Sequence, residues 1–127
     1  LSTHISGSGN IGFNKINAQK SDFSISGSGD MNISFLTTNN ATFNISGSGD
    51  MKVAGSAEKA SFNIAGSGEM DARDFVAKRV NCSVSGSGDI RCHATQYLKV
   101  NIAGSGNVGY KGNPKELYIP KKNVYKL

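Results

Sequence analysis

Two stretches twenty residues apart decide the reading: "FSISGSGDMNI" (residues 23–33) and "FNISGSGDMKV" (residues 43–53). Each joins two alternating apolar/polar runs through a Gly-Ser-Gly bend. The triplet recurs at 7–9, 27–29, 47–49, 66–68, 86–88 and 104–106, at spacings of 20, 20, 19, 20 and 18 residues. A period in this range marks a solenoid, in which each unit buries its apolar edge only by stacking on the next.

Counted from the central Ser of each triplet, position −3 reads Ile5, Ile25, Ile45, Ile64, Val84, Ile102, and position +3 reads Ile11, Met31, Met51, Met70, Ile90, Val108. Position −5 reads Thr3, Phe23, Phe43, Phe62, Cys82, Val100, and position +5 reads Phe13, Ile33, Val53, Ala72, Cys92, Tyr110. Alternation at period two on both sides of the bend predicts two short strands facing inward. The glycines allow backbone angles that a Cβ forbids. The return paths add a third apolar wall through Ile16, Leu36 and Phe75 at +8 and Ala41, Ala60, Val80 and Leu98 at −7. Three walls per unit predict one coil of a parallel β-helix. Stacked about 4.8 Å apart, six coils form a rod roughly 25–30 Å long. A string of antiparallel hairpins is the competing fold, but hairpin tips favour Asn-Gly or Asp-Gly.

The 127 residues make one domain, read as residues 1–127, with 113–127 as a degenerate C-terminal capping coil. In "LYIPKKNVYKL" the apolar pattern persists at Leu117, Ile119 and Val124, while Pro120-Lys121-Lys122 replaces the bend. No matching cap opens the chain, so an earlier N-terminal segment is expected, and the first coil is a surface for self-association. No apolar run nears the roughly 20 residues of a membrane span, and no signal peptide is present.

The net charge of +5 is uneven: residues 1–71 carry −2 and residues 72–127 carry +7. Arg73, Lys78, Arg79 and Arg91 are the candidate anion-binding surface, suited to an anionic glycan or an envelope or host surface component. Nucleic acid is not expected, because Arg73, Arg79 and Arg91 lack interleaved aromatics and Tyr97, Tyr110, Tyr118 and Tyr125 form no recognisable array.

Position +2 forms a column of Asn10, Asp30, Asp50, Glu69, Asp89 and Asn107. Asp30, Asp50, Glu69 and Asp89 could ladder a Ca²⁺ ion; the simpler and preferred reading has these side chains accepting hydrogen bonds from backbone amides of the bend. No cofactor is otherwise expected. "GSGNIG" (7–12) and "GSGNVG" (104–109) match the dinucleotide fingerprint, but a strand follows each where that motif needs a helix N-terminus. Cys82 and Cys92 face each other across one coil. A disulfide requires the walls to pinch near the bend; walls about 10 Å apart leave two small buried hydrophobes.

His4 and His93 are the only histidines, and no nucleophile–base–acid order is evident. Asp71, Asp89 and Arg91, next to Lys52, are the sole constellation suggesting polysaccharide cleavage, and outward charges at alternate strand positions are more often solvated. Four N-x-Ser/Thr sequons, at Asn32, Asn40, Asn44 and Asn81, fall out of the alternation.

The repeated "[IV]-[SA]-G-S-G-[DNE]-[IMV]", followed by "YKGNPKEL" (110–117), resembles the putative auto-transporter adhesin, head GIN domain family. The resemblance implies an all-β, single-stranded right-handed parallel β-helix in a bacterial cell-envelope or secreted protein, with no catalytic residues to carry over. Glu69 departs from the family's Asp, and "PKKN" stands where another Gly-Ser-Gly is usual. The expected function is a non-enzymatic adhesin or binding surface. A structural spacer or self-assembly unit is the alternative, and a polysaccharide lyase or hydrolase a distant third.

Overall fold

The computed structural model describes residues 2–120 and 122–127. Its strands are β1 (Ser2–Gly7), β2 (Asn10–Phe13), β3 (Ile16–Gly27), β4 (Asp30–Gly47) and β5 (Asp50–Gly66). They continue as β6 (Glu69–Gly86), β7 (Asp89–Gly104), β8 (Asn107–Lys111), β9 (Glu116–Tyr118) and β10 (Val124–Lys126). Every pairing is parallel, in the order β1-β3-β4-β5-β6-β7-β8-β10, with β2 on β4 and β9 on β7. The chain is a β-solenoid of about six turns, with no helix among the described residues. Antiparallel hairpins are excluded.

The strands are long because each turns corners while staying paired to the coil below. The register is that of the repeat: Ile5, Ile25, Ile45, Ile64, Val84 and Ile102 stack in one column, and Ile11, Met31, Met51, Met70, Ile90 and Val108 in another. Phe23, Phe43 and Phe62 stack face to face, with ring centroids 5.5 and 5.0 Å apart. Phe13 and Phe75 close edge-on against Phe23 and Phe43. Offset-stacked and edge-on rings satisfy the aromatic quadrupole while filling a thin interior.

The two glycines of each bend serve different needs. The first has φ between 96° and 127° in all six copies, a left-handed conformation. Its carbonyl accepts two amides from the coil above: Ser48 N–H (3.0 Å) and Gly49 N–H (3.1 Å) both donate to Gly27 O. The second glycine is buried against its predecessor, and a Cβ at Gly68 would run into the Gly49 carbonyl oxygen and lie 2.7 Å from Ile45 Cγ2. The Ser between them is exposed.

The third wall departs from simple counting. The ladder sets Gly55, not Ser56, between Leu36 and Phe75, because the coil from Ser48 to Ser67 is one residue shorter. Gly55 (φ 132°) packs directly on the Leu36 backbone. Phe75, in the repeat that follows that of Phe43, meets the Phe43 ring edge-on at 5.6 Å.

Residues 116–126 lay two short strands on the last coil: Leu117 pairs with Leu98, and Val124 with Val108. Val124 packs on the core, but Leu117 and Ile119 are 40% and 37% exposed, so the inward pattern expected of all three holds only for Val124. Asn123 takes the left-handed φ (66°) that glycine supplies in earlier coils, which short amide side chains tolerate. Lys121, part of the sequence-predicted bend, lies outside the described residues.

Candidate binding surfaces

The alternation that buries one set of side chains turns the other outward in axial columns about 4.8 Å per step. Three surfaces follow.

The first flanks the bend. Asn10, Asp30, Asp50, Glu69, Asp89 and Asn107 stack in register, beside a second column containing Lys52, Asp71 and Arg91. Asn10, Asp30, Asp50 and Glu69, with Lys52, Asp71 and Arg91, border an open groove of about 550 Å³. Asn10 Oδ1 accepts the Asp30 amide (3.3 Å), and Asp89 Oδ1 accepts both the backbone amide (3.2 Å) and the side-chain amide (3.3 Å) of Asn107. The oxygens at the two ends of the column thus bind amides of the coil above. Among the described residues, no group of three or more His, Cys, Asp or Glu gathers to hold a metal ion. Asp71 is clamped by Arg73, whose Nε and Nη2 donate to its two oxygens at 3.0 and 2.9 Å. The Arg73 side-chain hydrogen bonds hold the Asp71 carboxyl below its ordinary pKa, with partial burial opposing them. Arg91, in register with Asp71, adds its positive charge.

The second surface lies on the return path. Lys78 Nζ meets Glu58 at 3.2 Å, with both side chains half exposed. Arg79 lays its guanidinium 4.7 Å from the centre of the Tyr97 ring, and Tyr97 meets Tyr118 at 5.5 Å. The four cations singled out from sequence are therefore not one cluster: Arg73 and Arg91 flank Asp71, whereas Lys78 and Arg79 sit beside Glu58 and Tyr97. Arg79 does have aromatic company, contrary to expectation. Arg79 and Tyr97 both stand eight residues before a central Ser, so coil arithmetic was enough to find the pair. Lys59 and Lys99, also missed, share this surface: Lys59 is in register with Arg79, and Tyr118 with Lys99.

The third surface is an open trough on the strand before the bend. Ser24, Asn44, Asn63, Ser83 and Asn101 form its outward column, with the Asn63 side-chain amide donating to Asn44 Oδ1 at 3.0 Å. Its C-terminal part, about 640 Å³, is bordered by Lys99, Tyr118 and Pro120 over Ser83, Ser85 and Asn101. His4 lines the opposite end, and His93 belongs to β7.

Inside the rod, Cys82 and Cys92 are free thiols with Sγ atoms 3.8 Å apart. The walls pinch further than a uniform 10 Å spacing allows.

Known proteins place this geometry. A solved structure described as a putative lipid binding protein from Parabacteroides distasonis superposes with a TM-score of 0.93 and 33% identity over 100% of this chain and 53% of its own. This chain thus spans about half the length of that relative. A putative adhesin from Bacteroides fragilis shares the fold at a TM-score of 0.76 and 18% identity, over 98% of this chain and 87% of its own. No curated protein matches the chain. The model of one family, described as putative auto-transporter adhesin, head GIN domain, matches residues 2–114, which span all six Gly-Ser-Gly bends and every complete coil. The chain is a member of that family.

Proposed function

We propose that this chain is a non-enzymatic binding module of the bacterial cell envelope or exterior, a rigid rod whose basic half holds an anionic envelope or host polymer. The observation that carries this is electrostatic. Residues 72–127 hold a surplus of +7, and Arg79, Lys99 and Lys59 on the adjoining coil meet no carboxylate at ion-pair distance among the described residues. A cationic strip on a rod attracts an extended polyanion along its length, raising encounter rate and local concentration. The family's adhesin description and the lipid-binding description of the Parabacteroides relative both support a surface-binding role.

The test is binding of the purified domain to arrayed bacterial and host glycans at low and high salt, with anionic lipid vesicles as a further arm. Retention of acidic glycans that weakens as salt rises is expected. Absence of any acidic glycan ligand, vesicle binding alone included, would overturn the reading.

A second reading, a spacer or assembly unit, draws on β1, which among the described residues pairs on one side only, with β3. An unpaired edge templates addition of a further strand. Sedimentation that shifts with protein concentration would support self-assembly.

A further inference from the structure

We infer that Arg79, Tyr97, Lys99 and Tyr118 form a saddle for an acidic polysaccharide, the sugar ring lying on Tyr118 and its anionic group held by Arg79 and Lys99. The inference rests on the reading above and names its site.

The saddle is built from two outward columns. Lys59, Arg79, Tyr97 and Glu116 occupy one; Ser61, Asn81, Lys99 and Tyr118 occupy the other. Because both columns ride on hydrogen-bonded parallel strands, their spacing is fixed before any ligand arrives. Tyr97 lies against the Arg79 guanidinium on one side and the Tyr118 ring on the other. Cation–π attraction holds the guanidinium in place, so less rotamer entropy is lost on binding. Tyr118 is 55% exposed and offers a rigid amphipathic ring outward, with Lys99 one coil below it. Neither Arg79 nor Lys99 has an ion-pair partner among the described residues, whereas Lys78 and Arg73 are engaged by Glu58 and Asp71. Glu116, in register with Tyr97, bounds the cationic strip on its far side.

Two features select a glycan. The trough that begins at Tyr118 and Lys99 sets Ser83, Ser85 and Asn101 beside the apolar Ile102, Leu117 and Ile119, so a sugar chain lying in it meets hydroxyl and amide partners for its hydroxyls and apolar surface for its ring faces. The charge is concentrated at one end of that trough, as an anionic sugar within a longer chain requires. A lipid headgroup would engage the cations but leave Ser83, Ser85 and Asn101 without a partner.

The test uses the intact domain with oligogalacturonate as the carboxylated probe, dextran sulfate as the sulfated one, neutral dextran as control and phosphatidylglycerol vesicles as the lipid arm. Wild type is expected to bind at least one acidic glycan, with Tyr118→Ala and Arg79→Ala each weakening affinity about tenfold, the loss typical of a central contact. Tyr118→Phe should keep most of the affinity, and Lys15→Ala, between β2 and β3 at the other end of the rod, should leave it unchanged. All four substituted residues are exposed, and circular dichroism checks the fold of each variant. Acidic-glycan binding that survives Tyr118→Ala, Arg79→Ala and Lys99→Ala would overturn the saddle and leave the broader reading standing. Binding to vesicles alone, or to no probe, would overturn both.

Discussion

Cys82 and Cys92 meet inside the rod: the Cys82 thiol donates to Cys92 Sγ at 3.8 Å, and Cys92 Sγ lies 3.7 Å from the Gly109 carbonyl oxygen. The hydrogen bond to Cys92 and complete burial both disfavour the thiolate and push the Cys82 pKa well up. A buried protonated thiol is a poor nucleophile. Neither cysteine should therefore react with Ellman's reagent in the native state, and both should react once the chain is unfolded in urea. Because the folded pKa of Cys82 is raised, stability is undiminished below the ordinary thiol value and falls as pH climbs above it, where only the unfolded chain ionises readily. Urea midpoints measured from neutral to strongly alkaline pH should show this decline, and Cys82→Ala should flatten it.

The second glycine of the bend predicts a contrast between two identical substitutions. At Gly68 a Cβ would strike the Gly49 carbonyl and crowd Ile45, whereas at Gly9 the nearest atom, Ile5 Cγ2, is 4.0 Å away. Gly68→Ala should cost about 3 kcal/mol, the upper end of ordinary overpacking, because backbone cannot step aside. Gly9→Ala should lie within about 0.5 kcal/mol of wild type, as surface changes usually do. Thermal melting of the two variants side by side decides it; equal destabilisation would mean that close coil-to-coil approach is not why the glycine is needed.

Most of the fold was legible because a solenoid writes each structural position six times. The Ile and Met columns, the phenylalanine stack and the parallel pairing all follow from spacing. Legibility ended where coil length changes. The 19-residue coil puts Gly55 where counting puts Ser56, on the rung between Leu36 and Phe75. The surface was harder for a different reason. Outward positions carry no core constraint, so Arg79 and Lys78 look alike in sequence, and only their partners, Tyr97 and Glu58, separate them. The Arg79–Tyr97 pair lay within reach of the same column arithmetic.

The acidic column predicts a stabilising substitution. Asp50 stands in register between Asp30 and Glu69, two like charges about one strand spacing away on either side. Asp50→Asn removes both repulsions and keeps a hydrogen-bonding side chain of the same shape. It should raise stability by about 0.5 kcal/mol at low ionic strength, with the gain fading as salt screens the column. A variant less stable than wild type at low salt would mean that the carboxylate at this position is compensated, and calcium would then be the first ion to titrate.

The acid side of the stability profile should carry the mark of Asp71. Its carboxyl is held below the ordinary value chiefly by the Arg73 side chain, so the folded state binds a proton less readily than the unfolded chain. That contribution is present above the ordinary carboxylate pKa and is lost as pH falls through the lowered one. Asp71 is 25% exposed and Arg73 49%, so solvent screening keeps the effect small despite the two-pronged geometry. Asp71→Asn should therefore narrow the difference between midpoints at neutral pH and at about pH 3, near the reference carboxylate range.

Phe43 is the keystone of the aromatic stack and should show the largest single-residue loss of stability. It is fully buried, lies face to face with Phe23 and Phe62, and receives the edge of Phe75. Phe43→Ala removes all three of these ring contacts and opens a cavity that rigid parallel strands cannot collapse, so a cost of about 3–5 kcal/mol is expected. Against a total stability of about 5–15 kcal/mol, that approaches the margin of folding. Phe13, packed edge-on at the rim and only half buried, sets the comparison: Phe13→Ala should cost markedly less. Because neighbouring coils support one another only through their interface, the central deletion should also broaden the urea transition, as the two halves of the rod uncouple. A sharp transition with a small midpoint shift for Phe43→Ala would mean that the backbone ladder, rather than the stacked rings, joins the halves of the rod.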